Sequence, residues 1–297
     1  MSTVTQKTET FTRLDTTQAP RQIVREVLSS EENVLLVPPR LHDSDFELTP
    51  PPDETDVNVG LFTSGSTGKP KLIWNRRSHI RENGRVSAGA FSVNAQMKLQ
   101  ILASPWHVAG LSWALMAEEN NIDYRMKAPR IAESDQWVGE INAYQPDMLF
   151  TVPTVLRYLY ESKNWFVPRI AFGGASILQE DYKELAPHTQ TLYQAYGQTE
   201  AGGLIAVYSR DINTEPESDE HIRVGRPPEN VMIHCEGKKD VPGPILVQSP
   251  SSIVNGWYDT GDLGYFDDDQ QLHVTGRNDQ RKGNCNMITA VTEVVHK

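Results

Sequence analysis

Apolar residues in the middle of the chain form short runs that alternate with stretches of helical spacing. The runs are Leu99–Ala103, Met148–Val152 and Arg169–Phe172. Runs of this length are typical of strands buried on both faces of a sheet. Trp137, Ile141 and Tyr144 lie at helical spacing after Ser134, which we expect to be the N-cap of a helix. The alternation predicts an α/β fold with a mainly parallel sheet and flanking helices.

The same pattern divides the chain into three parts. For residues 1–55 the pattern predicts a polar leader, a short helix around Ile23, a short strand and a Pro-rich connector. Residues 56–203 carry the strand and helix alternation and form the predicted α/β core. Residues 204–297 contain short β-type runs separated by Gly, Pro and acidic turns, which predict a smaller β-rich subdomain.

The charge of the chain argues against polyanionic partners. Its 297 residues include 28 basic and 39 acidic side chains, which gives a net charge of −11. Nucleic acids and anionic membranes are bound by basic faces, so we expect neither as a partner. No apolar run approaches the roughly 18 residues of a membrane helix, and no secretory signal pattern opens the chain. With two distant cysteines, Cys235 and Cys285, these features predict a soluble cytoplasmic protein.

The most informative polar segment, Leu61–Lys71, follows a predicted strand and is rich in glycine and hydroxyl groups. Backbone N–H groups in such a loop can close on phosphate oxygens, and lysine supplies a counter-charge. The loop differs from a Walker A motif because Pro70 follows Lys69 and Thr63 stands at the first glycine position. A plain flexible turn is the alternative, which the two lysines beside Pro70 disfavour. The predicted phosphate-binding residues are Thr63, Ser64, Gly65, Ser66, Thr67, Gly68, Lys69 and Lys71.

Together with this loop, four later segments resemble the motifs of the adenylate-forming superfamily, which includes acyl- and aryl-CoA ligases. In chain order they are Gly173-Gly174-Ala175, Tyr196-Gly197-Gln198-Thr199-Glu200, Tyr258-Asp259-Thr260-Gly261-Asp262 and Gly276-Arg277. The resemblance covers residues 56–279 and implies that residues 56–203 are an ATP-binding core. It also implies that Gly173, Gly174 and Ala175 contact the nucleotide.

The side chains in these segments suit the parts of ATP. Tyr196 offers an aromatic face for adenine, and the resemblance implies that Thr199 contacts the α-phosphate and Glu200 holds Mg²⁺. Asp262 lies in a Gly-flanked turn, where a carboxylate can accept ribose hydroxyls, and Arg277 can reach ribose or phosphate. The alternative for each is a solvated turn residue or, for Tyr196, a core tyrosine.

The segment Pro105–Gly110 resembles the part of the family that lines the acyl pocket and positions the substrate carboxylate. Its histidine, His107, is therefore a candidate catalytic residue together with Lys69, Thr199 and Glu200. A hydrogen-bonded structural histidine is the alternative. The neighbouring apolar side chains, Trp106, Leu111, Trp113 and Met116, either belong to the core or shape a substrate pocket.

The reaction that the resemblance implies is attack of a carboxylate on the α-phosphorus of ATP, with release of pyrophosphate and formation of an acyl adenylate. ATP and Mg²⁺ are the expected cofactors. In most of the family the acyl group then passes to a thiol of coenzyme A or of a carrier protein. The substrate is expected to be a small aryl or acyl carboxylic acid.

The chain departs from the family pattern at both ends. The first subdomain is expected to be reduced. Because Lys297 follows shortly after the hinge near Asp279, we also expect the mobile C-terminal domain of the family to be missing. Three interpretations follow: a minimal ligase that makes an acyl adenylate and uses another protein or a simplified site for the thiol step, a catalytically weak nucleotide-binding or regulatory protein, or a truncated gene product. We favour the first, which resembles the compact ligases that activate 2-succinylbenzoate.

Overall fold

The computed structural model describes residues 11–42, 46–52, 56–64, 70–215 and 222–278. Within these ranges the chain forms fifteen strands in three sheets and six α-helices. The strands are β1 (Thr12–Leu14), β2 (Val34–Leu36), β3 (Asn58–Ser64), β4 (Pro70–Arg76), β5 (Lys98–Leu102), β6 (Asp123–Lys127), β7 (Met148–Thr151), β8 (Arg169–Gly173), β9 (Thr191–Gln198), β10 (Gly203–Asp211), β11 (Arg223–Gly225), β12 (Met232–His234), β13 (Gly243–Gln248), β14 (Tyr258–Phe266) and β15 (Leu272–Arg277). The helices are α1 (Pro20–Ser29), α2 (Arg77–Ala90), α3 (Val108–Glu119), α4 (Ser134–Tyr144), α5 (Pro153–Tyr160) and α6 (Asp181–Leu185).

The central sheet has the strand order β10-β9-β8-β7-β5-β6, and its strands are parallel except for β10. Successive residues of a strand face opposite sides of a sheet. Leu149 of β7 accordingly joins the apolar core that contains Trp137 of α4, whereas Phe150 joins the core that contains Leu111 of α3. Helices therefore cover both faces, which confirms the predicted α/β class.

Strands β5, β7 and β8 coincide with the three apolar runs of the sequence to within one residue at either end. Helix α4 differs slightly from the prediction, because Ser134 is its first helical residue. Glu133 precedes it, and no side chain caps the helix.

The first sheet has the order β1-β2-β3-β4, with β1, β2 and β3 parallel and β4 antiparallel to β3. Helix α1 connects β1 to β2 and buries Ile23, Val24 and Val27 in the core shared with α3. Because β2 pairs with β3, the sheet crosses the boundary that the sequence analysis placed between residues 55 and 56. The segment before that boundary is thus part of the folded core.

The third sheet has the order β11-β15-β14-β13-β12 and its paired strands are antiparallel. It encloses its own apolar core, with Ile245, Val247 and Leu272. Strand β10 belongs to the central sheet, although the sequence analysis placed it in the β-rich part. Its residues divide between two cores: Leu204 packs with α3, whereas Ile205 packs with the third sheet.

Among the described residues, no helix is long and apolar enough to cross a membrane.

Candidate active site

Several predicted site residues lie at one edge of the central sheet. Strands β5, β8 and β9 are parallel, so the segments that follow them emerge at the same edge. His107 follows β5 immediately before α3, Gly173 ends β8, and Thr199 and Glu200 follow β9. In open α/β sheets, ligands bind at this carboxyl edge.

A cavity of about 190 Å³ lies between this edge and the hairpin of β14 and β15. Five residues predicted from the sequence line it: Gly174, Ala175, Tyr196, Asp262 and Arg277. They come from β9, from the segment after β8, and from two strands of a different sheet. The fold therefore brings together side chains that are more than 60 positions apart in the sequence.

The carboxylate of Asp262 accepts several hydrogen bonds in the cavity wall. Asp262 is only 7% exposed. Its Oδ2 accepts the hydroxyl of Tyr196 at 2.6 Å, and its Oδ1 accepts Nη1 of Arg277 at 3.0 Å. Burial raises the pKa of the Asp262 carboxyl above its ordinary value, and these two partners oppose the rise. The charge of Asp262 is thus balanced within the cavity wall.

Tyr196 contributes its ring to the cavity lining and its hydroxyl to Asp262. Burial, reinforced by the negative charge of Asp262, raises the pKa of Tyr196 well above its ordinary value. The hydroxyl therefore stays protonated and acts as a hydrogen-bond donor. Stacking of its ring on adenine stays a prediction.

Two glycines allow the cavity wall to turn. Gly174, directly after β8, has φ +89°, and Gly261 has φ +70°. Residues other than glycine rarely adopt such positive φ angles. A Cβ at Gly261 would also stand 3.1 Å from Nη2 of Arg277, so a larger residue there would disturb the guanidinium.

Lys71 and Glu200 meet at a second, more open place on the same sheet edge. Nζ of Lys71, on β4, lies 3.5 Å from Oε1 of Glu200, which follows β9. This pair brings the end of the predicted phosphate loop to the motif that contains Thr199. Thr63 is held across the hairpin, with its hydroxyl 3.5 Å from the carbonyl oxygen of Lys71.

The centre of the predicted phosphate loop lies outside the described residues. This applies to Gly65, Ser66, Thr67, Gly68 and Lys69, and to the side chain of Ser64. Their phosphate contacts, and the catalytic role of Lys69, stay predictions. Strands β3 and β4, which pair Ser64 with Pro70, hold the two ends of this loop together.

The residues present fit a magnesium ion that is shared with phosphate groups. Within the described ranges, no three His, Cys, Asp or Glu side chains gather into a group that could hold a metal. Mg²⁺ is commonly held by one or two carboxylates together with substrate phosphates and water. Glu200 supplies one such carboxylate, and its side chain is 18% exposed at the open end of the site.

His107 lies at the start of α3 and is partly buried. Burial lowers the pKa of its imidazole to about 4, and the positive charge of Arg40 acts in the same direction. His107 is therefore neutral at pH 7, so one of its ring nitrogens can donate a hydrogen bond and the other can accept one. Among its apolar neighbours, Leu111 and Trp113 belong to the core, and Trp106 packs against it.

Three polar residues of this region have no role predicted from the sequence. Gln198, Tyr258 and Thr260 form hydrogen bonds with one another and with Asp262. All three lie inside the motifs named above, which is the signal that could have identified them. Their partners are distant in the chain, so spacing alone gave no reason to join them.

Residues 2–258 match the AMP-binding enzyme family, and the chain belongs to that family. This confirms the resemblance on which the sequence analysis relied. The chain is 27% identical to the 2-succinylbenzoate–CoA ligase of Bacillus subtilis (strain 168), over 73% of this chain and 48% of the relative. It is 29% identical to an uncharacterized acyl–CoA ligase of the same organism, over 73% of this chain and 47% of the relative. The chain thus spans about half the length of the curated relatives it matches.

A solved structure of similar fold is the O-succinylbenzoate coenzyme A synthetase of B. subtilis in complex with ATP and magnesium ion. The likeness has a TM-score of 0.66 and 22% identity, and covers 90% of this chain and 64% of the other. A likeness at this identity shows the fold alone. Neither Bacillus relative is named as a regulatory protein, so the regulatory alternative gains no support from them.

Proposed function

We propose that this chain binds ATP and activates a carboxylic acid as an acyl adenylate, with release of pyrophosphate. One observation carries the proposal. Two sets of charged groups lie at one sheet edge: buried Asp262 with half-buried Arg277, and Glu200 with exposed Lys71. The first set suits ribose, the second suits a metal-bound triphosphate, and membership of the AMP-binding family supports both assignments.

In the proposed reaction a carboxylate oxygen of the substrate attacks the α-phosphorus of ATP. The bond from that phosphorus to the pyrophosphate oxygen breaks, and pyrophosphate leaves with the electron pair. No side-chain nucleophile is needed, so the chain acts by positioning the reactants and stabilising charge. Thr199 and Lys69 contact the phosphates, Lys71 adds charge at the open end, and Asp262 accepts hydrogen bonds from ribose hydroxyls.

Two further groups complete the proposed site. Glu200 holds Mg²⁺, which when bound supplies charge neutralisation between the phosphates. Neutral His107 orients the substrate carboxylate. As a neutral group it can donate one hydrogen bond to a carboxylate oxygen without holding the anion as tightly as a cation would.

The second half-reaction is proposed from the relatives. The two Bacillus proteins are named as acid–CoA ligases, so coenzyme A is the proposed acceptor of the acyl group. A carrier protein has weaker support, from a fold likeness of TM-score 0.64 and 20% identity to McyG A-PCP complexed with phenylalanyl-adenylate. A partner that supplies a C-terminal domain is the alternative route for this step.

The decisive experiment is ATP–pyrophosphate isotope exchange with the full chain. Reactions contain Mg²⁺ and one acid from a panel of 2-succinylbenzoate, other aryl acids and fatty acids, with an acid-free control. We expect exchange that depends on one class of acid. Measurable ATP binding without exchange for any acid would instead favour the nucleotide-binding regulatory alternative.

A second measurement separates the two half-reactions. Coenzyme A is added to the acid that gives exchange, and thioester and AMP are followed by mass spectrometry. Exchange without thioester would mean that this chain performs adenylation and requires a partner for the thiol step.

A further inference from the structure

The side-chain amide of Gln198 crosses from one wall of the cavity to the other. Gln198 ends β9 in the central sheet, whereas Asp262 lies on β14 in the third sheet. Nε2 of Gln198 donates to Oδ2 of Asp262 at 2.6 Å and to the carbonyl oxygen of Thr260 at 3.0 Å. Its Oε1 accepts the hydroxyl of Tyr258 at 3.1 Å. One residue thus ties the central sheet to the strand that carries the buried carboxylate.

These contacts select one orientation of the amide. Two acceptors face Nε2 and one hydroxyl donor faces Oε1. Rotation of the amide by half a turn would place its oxygen against the Asp262 carboxylate and the Thr260 carbonyl. Because like acceptors repel, the network holds Gln198 as a donor to Asp262.

The Asp262 carboxylate has limited capacity for further hydrogen bonds. An ionised carboxylate offers about four lone-pair sites. Oδ2 accepts two donors, from Tyr196 and Gln198, and Oδ1 accepts one donor, from Arg277. By this count, the remaining acceptor capacity of the group is on Oδ1. Asp262 can therefore take one ribose hydroxyl without displacing a present partner, and a second hydroxyl must displace one.

We propose that Gln198 is a positioning residue for ribose: its amide holds Oδ2 of Asp262 and so presents Oδ1 to a ribose hydroxyl of ATP. The inference rests on the proposed function, because it assumes that ATP occupies the cavity. Gln198 acts through Asp262 and needs no contact with the nucleotide. Its contribution is a second donor on Oδ2 beside the Tyr196 hydroxyl, which further restricts rotation of the carboxylate.

The test compares nucleotides that differ only at the ribose. Affinities of ATP and 2′,3′-dideoxy-ATP are measured by titration calorimetry in Mg²⁺ for the wild type, Gln198→Leu and Gln248→Leu. Gln248, on β13 and away from the cavity lining, is the matched control. We expect Gln198→Leu to weaken ATP binding about tenfold, the scale of one charge-assisted hydrogen bond. Its affinity for the dideoxy nucleotide is expected to stay within about twofold of wild type.

A purely structural role for Gln198 gives a different result. Loss of packing would weaken the binding of both nucleotides by the same factor, and that outcome overturns the proposal. If the wild type binds both nucleotides with equal affinity, the positioning role is also overturned, although the proposal that the chain binds ATP is not. If the wild type binds neither nucleotide, the proposed function falls together with the inference.

Gln198→Glu gives a second test that keeps the shape of the side chain. At pH 8 the new carboxylate faces Asp262 as an acceptor, so the preference for ATP over the dideoxy nucleotide should be lost. Two facing carboxylates share a proton as the pH falls, and the protonated Glu can then donate to Asp262. We expect the preference to recover between pH 8 and pH 6 in this variant. A pH profile equal to that of the wild type would contradict the positioning role.

Discussion

The two ends of the candidate site differ in how their charges are held. At the closed end, the side chains of Asp262 and Arg277 are 9% and 38% exposed and pair at 3.0 Å within a network of shared hydrogen bonds. At the open end, the side chains of Glu200 and Lys71 are 18% and 61% exposed and lie 3.5 Å apart. Each group of the closed end is less exposed than its counterpart at the open end, and the closed end has more hydrogen bonds that fix its carboxylate.

Burial explains this difference. A carboxylate removed from water must be satisfied by fixed donors, because an unsatisfied buried charge is costly. The donors that surround the Asp262 carboxylate also fix its direction, which suits recognition of an unchanging group such as ribose. A solvated pair rearranges with little loss of free energy, which suits phosphates whose positions change during a reaction. Substitutions at the two ends should therefore have different effects.

The largest expected effect is on turnover at the open end. Glu200→Gln removes the carboxylate that is proposed to hold Mg²⁺, and we expect pyrophosphate exchange to fall by about 10²- to 10³-fold. ATP affinity should change much less, because the closed end is intact. Exchange rates measured across Mg²⁺ concentrations check this. Glu161→Gln, on the exposed surface after α5, is the control, and normal exchange in Glu200→Gln would refute the assignment.

The next effect is on affinity at the closed end. Asp262→Ala should weaken ATP binding by about 1 to 3 kcal/mol, because ribose and Arg277 both lose their partner. Titration calorimetry gives the affinity, and thermal unfolding shows whether the variant folds. Asp268→Ala, in the exposed turn between β14 and β15, provides the comparison. Unchanged affinity with a lower melting temperature would make Asp262 a structural turn residue.

The pH dependence of stability tests whether His107, at a third position of the same sheet edge, is buried. Its pKa is about 4 in the folded protein and 6.5 as the ordinary value, so between these values the unfolded chain binds more protons. The free energy of unfolding should therefore fall as the pH drops from 6.5 to 4, by at most about 1.4 kcal/mol per pH unit. Urea unfolding of wild type and His107→Gln across this range measures the difference. Parallel pH profiles would show that His107 is solvated.

The smallest effect is expected on stability at the open end. Lys71→Met breaks an exposed ion pair, and such pairs contribute little, so the free energy of unfolding should change by less than about 0.5 kcal/mol. Chemical unfolding of the variant and the wild type checks this. A loss of more than about 1 kcal/mol would mean that the open end is as tightly organised as the closed end.

Local patterns predicted the parts of the fold that depend on neighbouring residues. Strands β5, β7 and β8 follow from apolar runs, because a strand buried on both faces must be apolar throughout. The pairing of β2 with β3 did not follow. These strands are separated by a Pro-rich segment, and β2 has only three residues, so its place in a sheet depends on partners elsewhere in the chain.

The candidate site shows the same division. Its motifs identified Tyr196, Asp262 and Arg277 as nucleotide-binding candidates, and the fold places all three on one cavity. Nothing in the motifs indicated that the Tyr196 hydroxyl bonds to Asp262, or that Gln198 bonds to the same oxygen. These contacts depend on the position of the third sheet against the central one, which is set by packing of entire sheets.

By itself, the sequence determined the fold class, the family and the set of groups available for chemistry, because periodicity and motif chemistry are properties of short segments. The tertiary structure alone decided which of these groups meet, which are buried and which stay in water. The hydrogen bonds and pKa shifts of the cavity depend on distance and solvation, and its cross-sheet contacts form only once segments remote in the chain have packed together.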